Sequence, residues 1–526
     1  MTFMKRIFKI SFVLAAVVGL LASCDMNKRP YGAIDPENAL ESPADAAKLS
    51  NGLHIQIRSL AVGSVNYNSE LQTDIFHATT NFGNRGGQIY RWAFDATASD
   101  FSYVWGACYA AIANANFFIE KAAAVQERVS TDSEFAKNWA SADLDLLKGQ
   151  ISEAHFLRAY AYSILFDRFC PAYTSENENK EDLGLAIVTK YEPTSDKGKY
   201  PGRSTLKASY NFMLEDLEAA EANIELAHAS AAGSKYITLD AVRALRARIA
   251  LLCGDYDTAI QDATLVINSG IYALTGNEDG LKALWVNDNT LSECIMQCSV
   301  ALITETPGTN DYGYLNFNYE KNTYNPDYIP EQWILDLYSE KDLRKAVYFM
   351  QTPLTQSAGV SEPLFVLNKF CGNPTLQSAP ADVNYRNAPK PFRLAELYLI
   401  AAEAYLKSGL SNGVSEASKL LNELQSKRIS DWEEKLYTAT DLQTELKNER
   451  VRELIGEGFR LSDLKRYNQG FARSASQDQN VISLPGQATT ENLKKTADDF
   501  RFVWPIPVAH QLLRADTPAT ATLQVP

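Results

Sequence analysis

Basic surplus, histidine and long apolar runs are scarce in this chain, and each scarcity removes a class of function. Its 50 lysines and arginines are outnumbered by 64 aspartates and glutamates, a formal net charge of −14. Phosphate binding needs a basic stripe, so nucleic acid is excluded as a partner. Only five histidines occur (His54, His77, His155, His228 and His510), and none stands in an H-E-x-x-H or comparable metal-binding spacing. Neither Gly83-x-x-Gly86-Gly87 nor Gly308-x-x-x-x-Gly313 carries the lysine of a phosphate loop. Past residue 21 no run of 18 or more apolar residues offers a transmembrane helix. No catalytic constellation, cofactor motif or metal site emerges.

The N-terminus speaks of location. Lys5, Arg6 and Lys9 precede the apolar run Ile10 to Leu21, and Leu21-Ala22-Ser23-Cys24 closes it with small residues before a cysteine. That is the form of a secretory signal, too short to span a bilayer, which takes roughly 20 apolar residues. The L-A-S-C ending resembles a bacterial lipobox, which makes Cys24 the acylated first residue of the mature protein. Lipidation means tethering to a membrane, not crossing it. Without residues 1–23 and their three basic side chains, the mature chain stands near −17.

Six further cysteines remain: Cys108, Cys170, Cys253, Cys294, Cys298 and Cys371. In an exported chain that even number permits disulfides. Cys108 and Cys253, however, sit in apolar helical settings where cysteine behaves as a small hydrophobe. Cys294-x-x-x-Cys298 has neither a histidine nor a second pair to complete a metal site.

Residues 24–45, with Pro30, Pro36 and Pro43, read as a polar tether. Helical periodicity then takes over. Tyr109, Ile112, Asn116 and Ile119 share a face, as do Ala154, Leu157, Ala161 and Leu165, then Tyr210, Met213 and Leu217. Spacings of three and four predict amphipathic helices. Leu239–Gly270 reads as helix, Gly254-Asp255-Tyr256 turn, then a helix with small residues Ala259 and Ala263. A second such unit begins at Leu394, turns at Ser408-Gly409 and returns through Ala417, Leu420 and Leu424. These hairpins resemble tetratricopeptide repeats, which must stack to bury their apolar faces. About four pairs are expected, the earliest being 105–120 with 151–169 and 207–226 with 239–253. The fold class is mainly α. Residues 60–100 and 271–390 break the pattern with asparagine, glycine, proline and many aromatics, the mark of functional loops in place of disorder.

Several segments resemble the SusD/RagB family. Ser152-Glu153-Ala154-His155-Phe156-Leu157-Arg158-Ala159 is similar to its E-A-x-F-L-R-A helix, and Leu239–Leu274 to its A-R-x-x-L-x-x-G-D-Y hairpin. Arg393-Leu394-Ala395-Glu396 with Ala402-Glu403-Ala404 is similar to its R-x-A-E helix. Most specific is Asn448-Glu449-Arg450 through Glu453-Leu454, Glu457-Gly458-Phe459-Arg460 and Asp463-Leu464-Lys465-Arg466, which resembles E-R-x-x-E-L-x-x-E-G-x-R-x-x-D-L-x-R. Trp504-Pro505-Ile506-Pro507 matches the C-terminal P-I-P. The sequence departs where Ala509-His510 replaces a common glutamate and the closing N-P becomes Thr517-Pro518.

The resemblance implies a SusD-like helical superhelix in two parts, 46–270 and 271–526, the second holding irregular 271–390 and helices 391–467. It also implies an outer-membrane lipoprotein facing the exterior, a hinged lid over a SusC-like TonB-dependent transporter. The ligand is an oligosaccharide, or a peptide as for other members. A tetratricopeptide-like interaction protein without a small ligand is the alternative. Glu449, Glu453 and Glu457 invite an enzymatic reading, but along one helix they point the same way with no opposing partner. They read as ion-paired with Arg452 and Arg460 three residues on, and Gly456 and Gly458 as sites of close helix approach. The protein is therefore read as a binder and not an enzyme. In the family the ligand surface comes from loops corresponding to 65–105 and 280–330. The candidates are Asn81, Arg85, Tyr90 and Trp92 from the first, with Trp285, Tyr312, Tyr314, Tyr319 and Tyr324 from the second.

Overall fold

Capping side chains set where the helices begin. Ser42 accepts from Asp45 N at 3.4 Å and Pro43 occupies the first turn of α1 (Pro43–Leu60). Pro43 therefore starts a helix, where its fixed φ suits the first turn, and does not belong to the tether. The structure, a computed structural model, describes residues 38–508 apart from 195, 290, 306–316, 319, 321, 357–358, 377–385, 474–476 and 479–493. Met1–Glu41 forms one unit and Ser42–Pro526 another. The signal segment, Cys24, Tyr312, Tyr314, Tyr319, Ala509-His510 and Thr517-Pro518 lie outside the described residues.

The second unit is mainly helical. Helices α2 (Ser64–Leu71), α3 (Ser99–Thr131), α4 (Ser141–Phe169), α5 (Leu206–Glu221), α6 (Leu239–Cys253) and α7 (Tyr256–Ile267) build its first part. Thr205 caps α5 through Ala208 N at 3.0 Å, and Asp255 caps α7 through Thr258 N at 3.1 Å. Gly254, at φ 72°, ends α6 in the left-handed region that glycine enters without Cβ strain. Ala259 and Ala263 are fully buried where α7 meets α6. The partner of α5 differs from expectation, since α5 packs chiefly on α4 and α6 chiefly on α7.

Residues 64–71 are helical where a loop was expected. The inward face of α2 carries Asn68, Ser69 and Glu70 beside Tyr67 and Leu71, so its burial has no apolar stripe to announce it. After α8 (Glu278–Val286) come short elements only: β2 (Cys294–Met296), β3 (Phe317–Asn318), β4 (Thr323–Tyr324), β5 (Tyr328–Pro330), α9 (Leu343–Tyr348), β6 (Phe349–Thr352) and β7 (Leu364–Leu367). β1 (Phe76–Ala78) runs antiparallel to β5, with His77 opposite Ile329. β3 pairs with β4, β6 with β7, and β2 with β8 (Phe392–Arg393).

Helix α10 (Leu394–Lys407) is buried on every face from Leu394 to Ala404, between α6, α7, α11 (Gly413–Ser426) and α12 (Ala439–Leu454). The expected single helix over 448–466 is two. Gly456 at φ 79° and Gly458 at φ 90° break the chain between α12 and α13 (Arg460–Arg466). Glu457 consequently pairs with Lys369 and Arg393, and Arg460 with Asp74, so the expected Glu457–Arg460 pair is absent. The Glu449–Arg452 pair does form, at 2.5 Å. All six described cysteines are free thiols, five of them buried. Burial pushes the Cys294 and Cys298 thiols up to about 12.

Candidate functional site

Two loops distant in sequence meet across a buried two-stranded ladder. The β1–β5 ladder brings residues 76–78 against 328–330, and hydrogen bonds extend the seam on both sides. Thr79 N donates to Asp327 O at 2.9 Å and Thr79 Oγ1 to Pro326 O at 2.6 Å. The buried Asp327 carboxylate accepts from Gly83 N at 3.1 Å and from Arg85 Nε at 2.6 Å. Tyr328 OH donates to Arg85 O at 2.5 Å, and Asn81 Nδ2 to Thr355 O at 2.7 Å. Asn84, at φ 62°, takes the left-handed turn that asparagine tolerates.

Rings stand along this seam. Phe82 is half-buried, edge-on to Tyr328 at 5.3 Å. Phe317 and Tyr324, both half-buried, meet edge-on at 5.0 Å. Tyr324 rests on the apolar cluster of Ile329, Leu354, Leu364 and Val366. Arg85, ion-paired with Asp327, leaves 40 % of its side chain exposed. The surface thus combines aromatic faces with a planar multi-donor group, held from behind by a buried carboxylate.

Three of the expected ligand residues are interior, and this corrects their assignment as stacking surface. Tyr90 is 0 % exposed, its hydroxyl accepting from Ala78 N at 3.3 Å under the Arg473 guanidinium, 3.9 Å from the ring centre. Trp92 is 1 % exposed and donates Nε1 to Gln72 O at 2.6 Å. Its φ of 57° is unusual for a bulky residue, and its ring is fixed by Phe502 at 4.9 Å and Phe471 at 5.8 Å. Trp285, 2 % exposed, lies under Lys369 Nζ at 4.7 Å and the Arg393 guanidinium at 5.0 Å. Asn81, Arg85 and Tyr324 do lie on the seam. Phe82, Phe317, Asp327 and Tyr328 also belong to it and escaped the sequence reading, although Phe82 sits directly between Asn81 and Gly83.

Inside the frame is a buried charge cluster. Glu453 accepts from Arg344 Nη1 at 2.9 Å, Arg393 Nη1 at 3.0 Å and Arg428 Nε at 3.0 Å. Glu449 meets Arg344 at 2.5 Å, and Glu457 meets Arg393 and Lys369, each at 2.6 Å. Glu293 accepts from Arg428 Nη2 at 2.6 Å. Burial alone would raise these carboxyls, but the surrounding guanidinium charges outweigh it. They hold Glu449 at about 2 and Glu453 well below the carboxylate range. Burial lowers Lys369 to about 8 against the pull of Glu457. The three glutamates are therefore ion-paired, as the sequence suggests, but apart from Arg452 their partners are arginines and a lysine distant in sequence, which neutralise them. Among the described residues no group of three or more histidines, cysteines or acidic residues is arranged to hold a metal ion. No described helix is long and apolar enough to cross a membrane.

Comparison with known proteins agrees over most of the length. Residues 314–511 match the model described as the SusD family, and residues 34–251 match one described as starch-binding associating with outer membrane. SusD-like protein P38 of Formosa agariphila is 27 % identical over 184 residues, which is 35 % of this chain and 30 % of that relative. A SusD superfamily protein from Bacteroides thetaiotaomicron shares the fold with TM-score 0.71 at 24 % identity, over 89 % of this chain and 97 % of that one. Surface glycan-binding protein A from Bacteroides fluxus does so with TM-score 0.64 at 19 % identity, over 90 % and 97 %. With its two parts matched by two models of one family on a shared fold, the chain belongs to the SusD family.

Proposed function

We propose that this chain is a non-enzymatic outer-membrane lipoprotein that captures an oligosaccharide at the seam of loops 79–91 and 317–328. It hands the ligand to a SusC-like TonB-dependent transporter. The observation that carries the reading is the meeting of two aromatic-bearing loops, joined by the Arg85–Asp327 pair, with Phe82, Phe317 and Tyr324 half-buried along them. Flat rings cover the apolar faces of pyranose units, and the guanidinium donates to hydroxyls. Sparse polar groups on an apolar lining are what a ligand site requires. Asp327 fixes Arg85 and Gly83 before ligand arrives, so little loop ordering is left to oppose binding.

The family description of starch binding at the outer membrane and the glycan-binding relative from Bacteroides fluxus support the ligand class. The absence of catalysis is supported by Glu449, Glu453 and Glu457, whose oxygens are engaged by arginine and lysine and leave no acid–base pair facing a cleft. Cys24 supplies the lipid anchor, which holds the protein to the membrane without a spanning helix. Calorimetric titration against neutral oligosaccharides tests the reading. Phe82→Ala and Arg85→Ala should each weaken binding about tenfold, the scale of losing one well-packed contact. Unchanged affinity in both, or reducing ends released on incubation with polysaccharide, would overturn it. Mass spectrometry of membrane-extracted protein should find acyl chains on Cys24.

A further inference from the structure

A groove of about 640 Å³ lies between residues 227–236 and 288–297, built from residues none of which belongs to the loop seam. Its volume is within the range of roughly 300–1,000 Å³ typical of small-ligand sites. Its floor is stitched to β2, because Gly233 N donates to Cys294 O at 2.7 Å and Gln297 N to Ser234 O at 2.9 Å. Gln297, just past β2, is fully buried and lines the groove. Its Nε2 donates to two backbone carbonyls, Gly233 O at 2.8 Å and Asn289 O at 3.0 Å. Those two acceptors fix which way the amide points. The other end, Oε1, accepts from no donor among the described residues. A buried acceptor of fixed orientation, left unmet by the described residues, asks for a donor from outside.

The wall of the groove is an aromatic face held in place. Tyr236 is 49 % exposed, and its ring stacks on His228 with centroids 3.9 Å apart and planes 16° from parallel. The His54 ring meets Tyr236 edge-on at 5.8 Å. Behind them the fully buried Glu153 carboxylate lies 3.0 Å from His54 Nε2 and 3.4 Å from His228 Nε2, and accepts from Ser50 Oγ at 2.5 Å. One buried carboxylate therefore braces both imidazoles that support the tyrosine. Lys235 adds an exposed donor at the rim.

We propose that this groove is a second saccharide-binding site, which takes a pyranose unit of a neutral oligosaccharide, its C–H face on Tyr236 and a hydroxyl donating to Gln297 Oε1. A carboxylated or phosphorylated ligand would meet the Gln297 lone pairs and the Asp288 carboxylate in the same lining. A purely apolar ligand would leave Oε1 unmet. A hydroxylated ring with one apolar face answers both demands. The choice of ligand class rests on the oligosaccharide-binding reading above; the site itself rests on the groove, the fixed amide and the braced ring.

The test titrates the full-length protein with maltohexaose, laminarihexaose, cellohexaose, mannohexaose and xylohexaose in turn. Wild type, the double variant Phe82→Ala/Arg85→Ala, and Tyr236→Ala are compared. Two sites per chain are expected for at least one hexaose, with the double variant keeping one. Tyr236→Ala should weaken that remaining site about tenfold or more. In wild type, hydroxyl-radical oxidation of Tyr236 should fall when the same hexaose saturates. One site that vanishes in the double variant, with Tyr236 unprotected, overturns this proposal and leaves the seam reading standing. Binding that survives in the double variant and is lost in Tyr236→Ala upholds the groove and sinks the seam. No hexaose bound by wild type overturns both.

Discussion

Glu453→Gln removes one charge and little volume from the centre of the molecule, so it isolates what the buried cluster contributes. Carboxylates Glu293, Asp342, Glu449, Glu453 and Glu457 are matched there by Arg344, Arg393, Arg428, Arg452 and Lys369, one cation for each. Three guanidinium groups converge on Glu453 alone. Neutralising it leaves a positive charge uncompensated at full burial, which costs about 3–5 kcal/mol. At about 2.1 cal/mol/K per residue, a unit the length of Ser42–Pro526 has an unfolding entropy of about 1 kcal/mol/K. The variant should therefore melt about 4 °C below wild type by calorimetry or far-ultraviolet circular dichroism. Glu453→Gln/Arg393→Gln restores neutrality around the site and should cost less than the sum of its single changes. A shift under about 1 °C in the single variant, or full additivity in the double, would show that the arginines are satisfied without Glu453 and refute the reasoning.

Acid unfolding should follow the same cluster. Glu449 is depressed from 4.5 to about 2, so its contribution is complete above pH 4.5 and disappears as pH falls toward 2; the acid midpoint should lie in that window. Glu70 behaves in the opposite sense. Burial raises it to about 7 against the Gly458 N–H that it accepts at 2.7 Å, so its stability contribution is complete below pH 4.5 and lost as pH rises through 7. Glu70→Gln should therefore gain up to about 3 kcal/mol, about 3 °C in Tm, at pH 8 and nothing at pH 4.5. Trp92→Ala should lower Tm by about 3–5 °C, a core truncation of about 3–5 kcal/mol, with oligosaccharide affinity unchanged, the reverse of Phe82→Ala. Arg473→Gln removes the donor that holds Leu71 O, Thr73 O and Tyr90 O at 2.7–2.8 Å. Amide exchange across 79–91 should accelerate, with loss of affinity at the seam.

The helical frame was legible because its interior is apolar and periodic. Val242, Leu245 and Ile249 mark α6, and Gly254-Asp255 marks both the end of that helix and the cap of the next. Where the interior is polar, the same reading fails. Asn68, Ser69 and Glu70 face inward on α2, and a pattern of asparagines and serines looks like a loop. Gly456 and Gly458 were visible, but their positive φ, which splits 448–466 and sends Glu457 to Lys369, is set by packing against residues far away in sequence. Gly458, for example, leaves room for only 3.0 Å between an added Cβ and Asn66 Cα. Aromatic residue type does not reveal facing. Tyr90, Trp92 and Trp285 carry the right rings and point inward, while Phe82 was passed over beside them.

These failures share a cause that bears on how the seam is positioned. The segment following α2 leads directly into β1 and the 79–91 loop, and it is held mostly from the C-terminal part of the chain. Arg460 grips Asp74 with two bonds of 2.8 Å, Gly458 N meets Glu70, and Trp333 Nε1 donates to Asp74 O at 2.8 Å. Arg473 then ties both ends of the loop together through Thr73 O and Tyr90 O, and Arg501 Nη1 holds Trp92 O at 2.8 Å. Gly458 and Arg460 of the E-G-F-R motif thus hold the base from which that surface rises. A loop anchored at its base can change its tip residues without losing the anchor, because Arg473 and Arg501 read main-chain oxygens and Arg460 reads the Asp74 carboxylate, which lies before the tip.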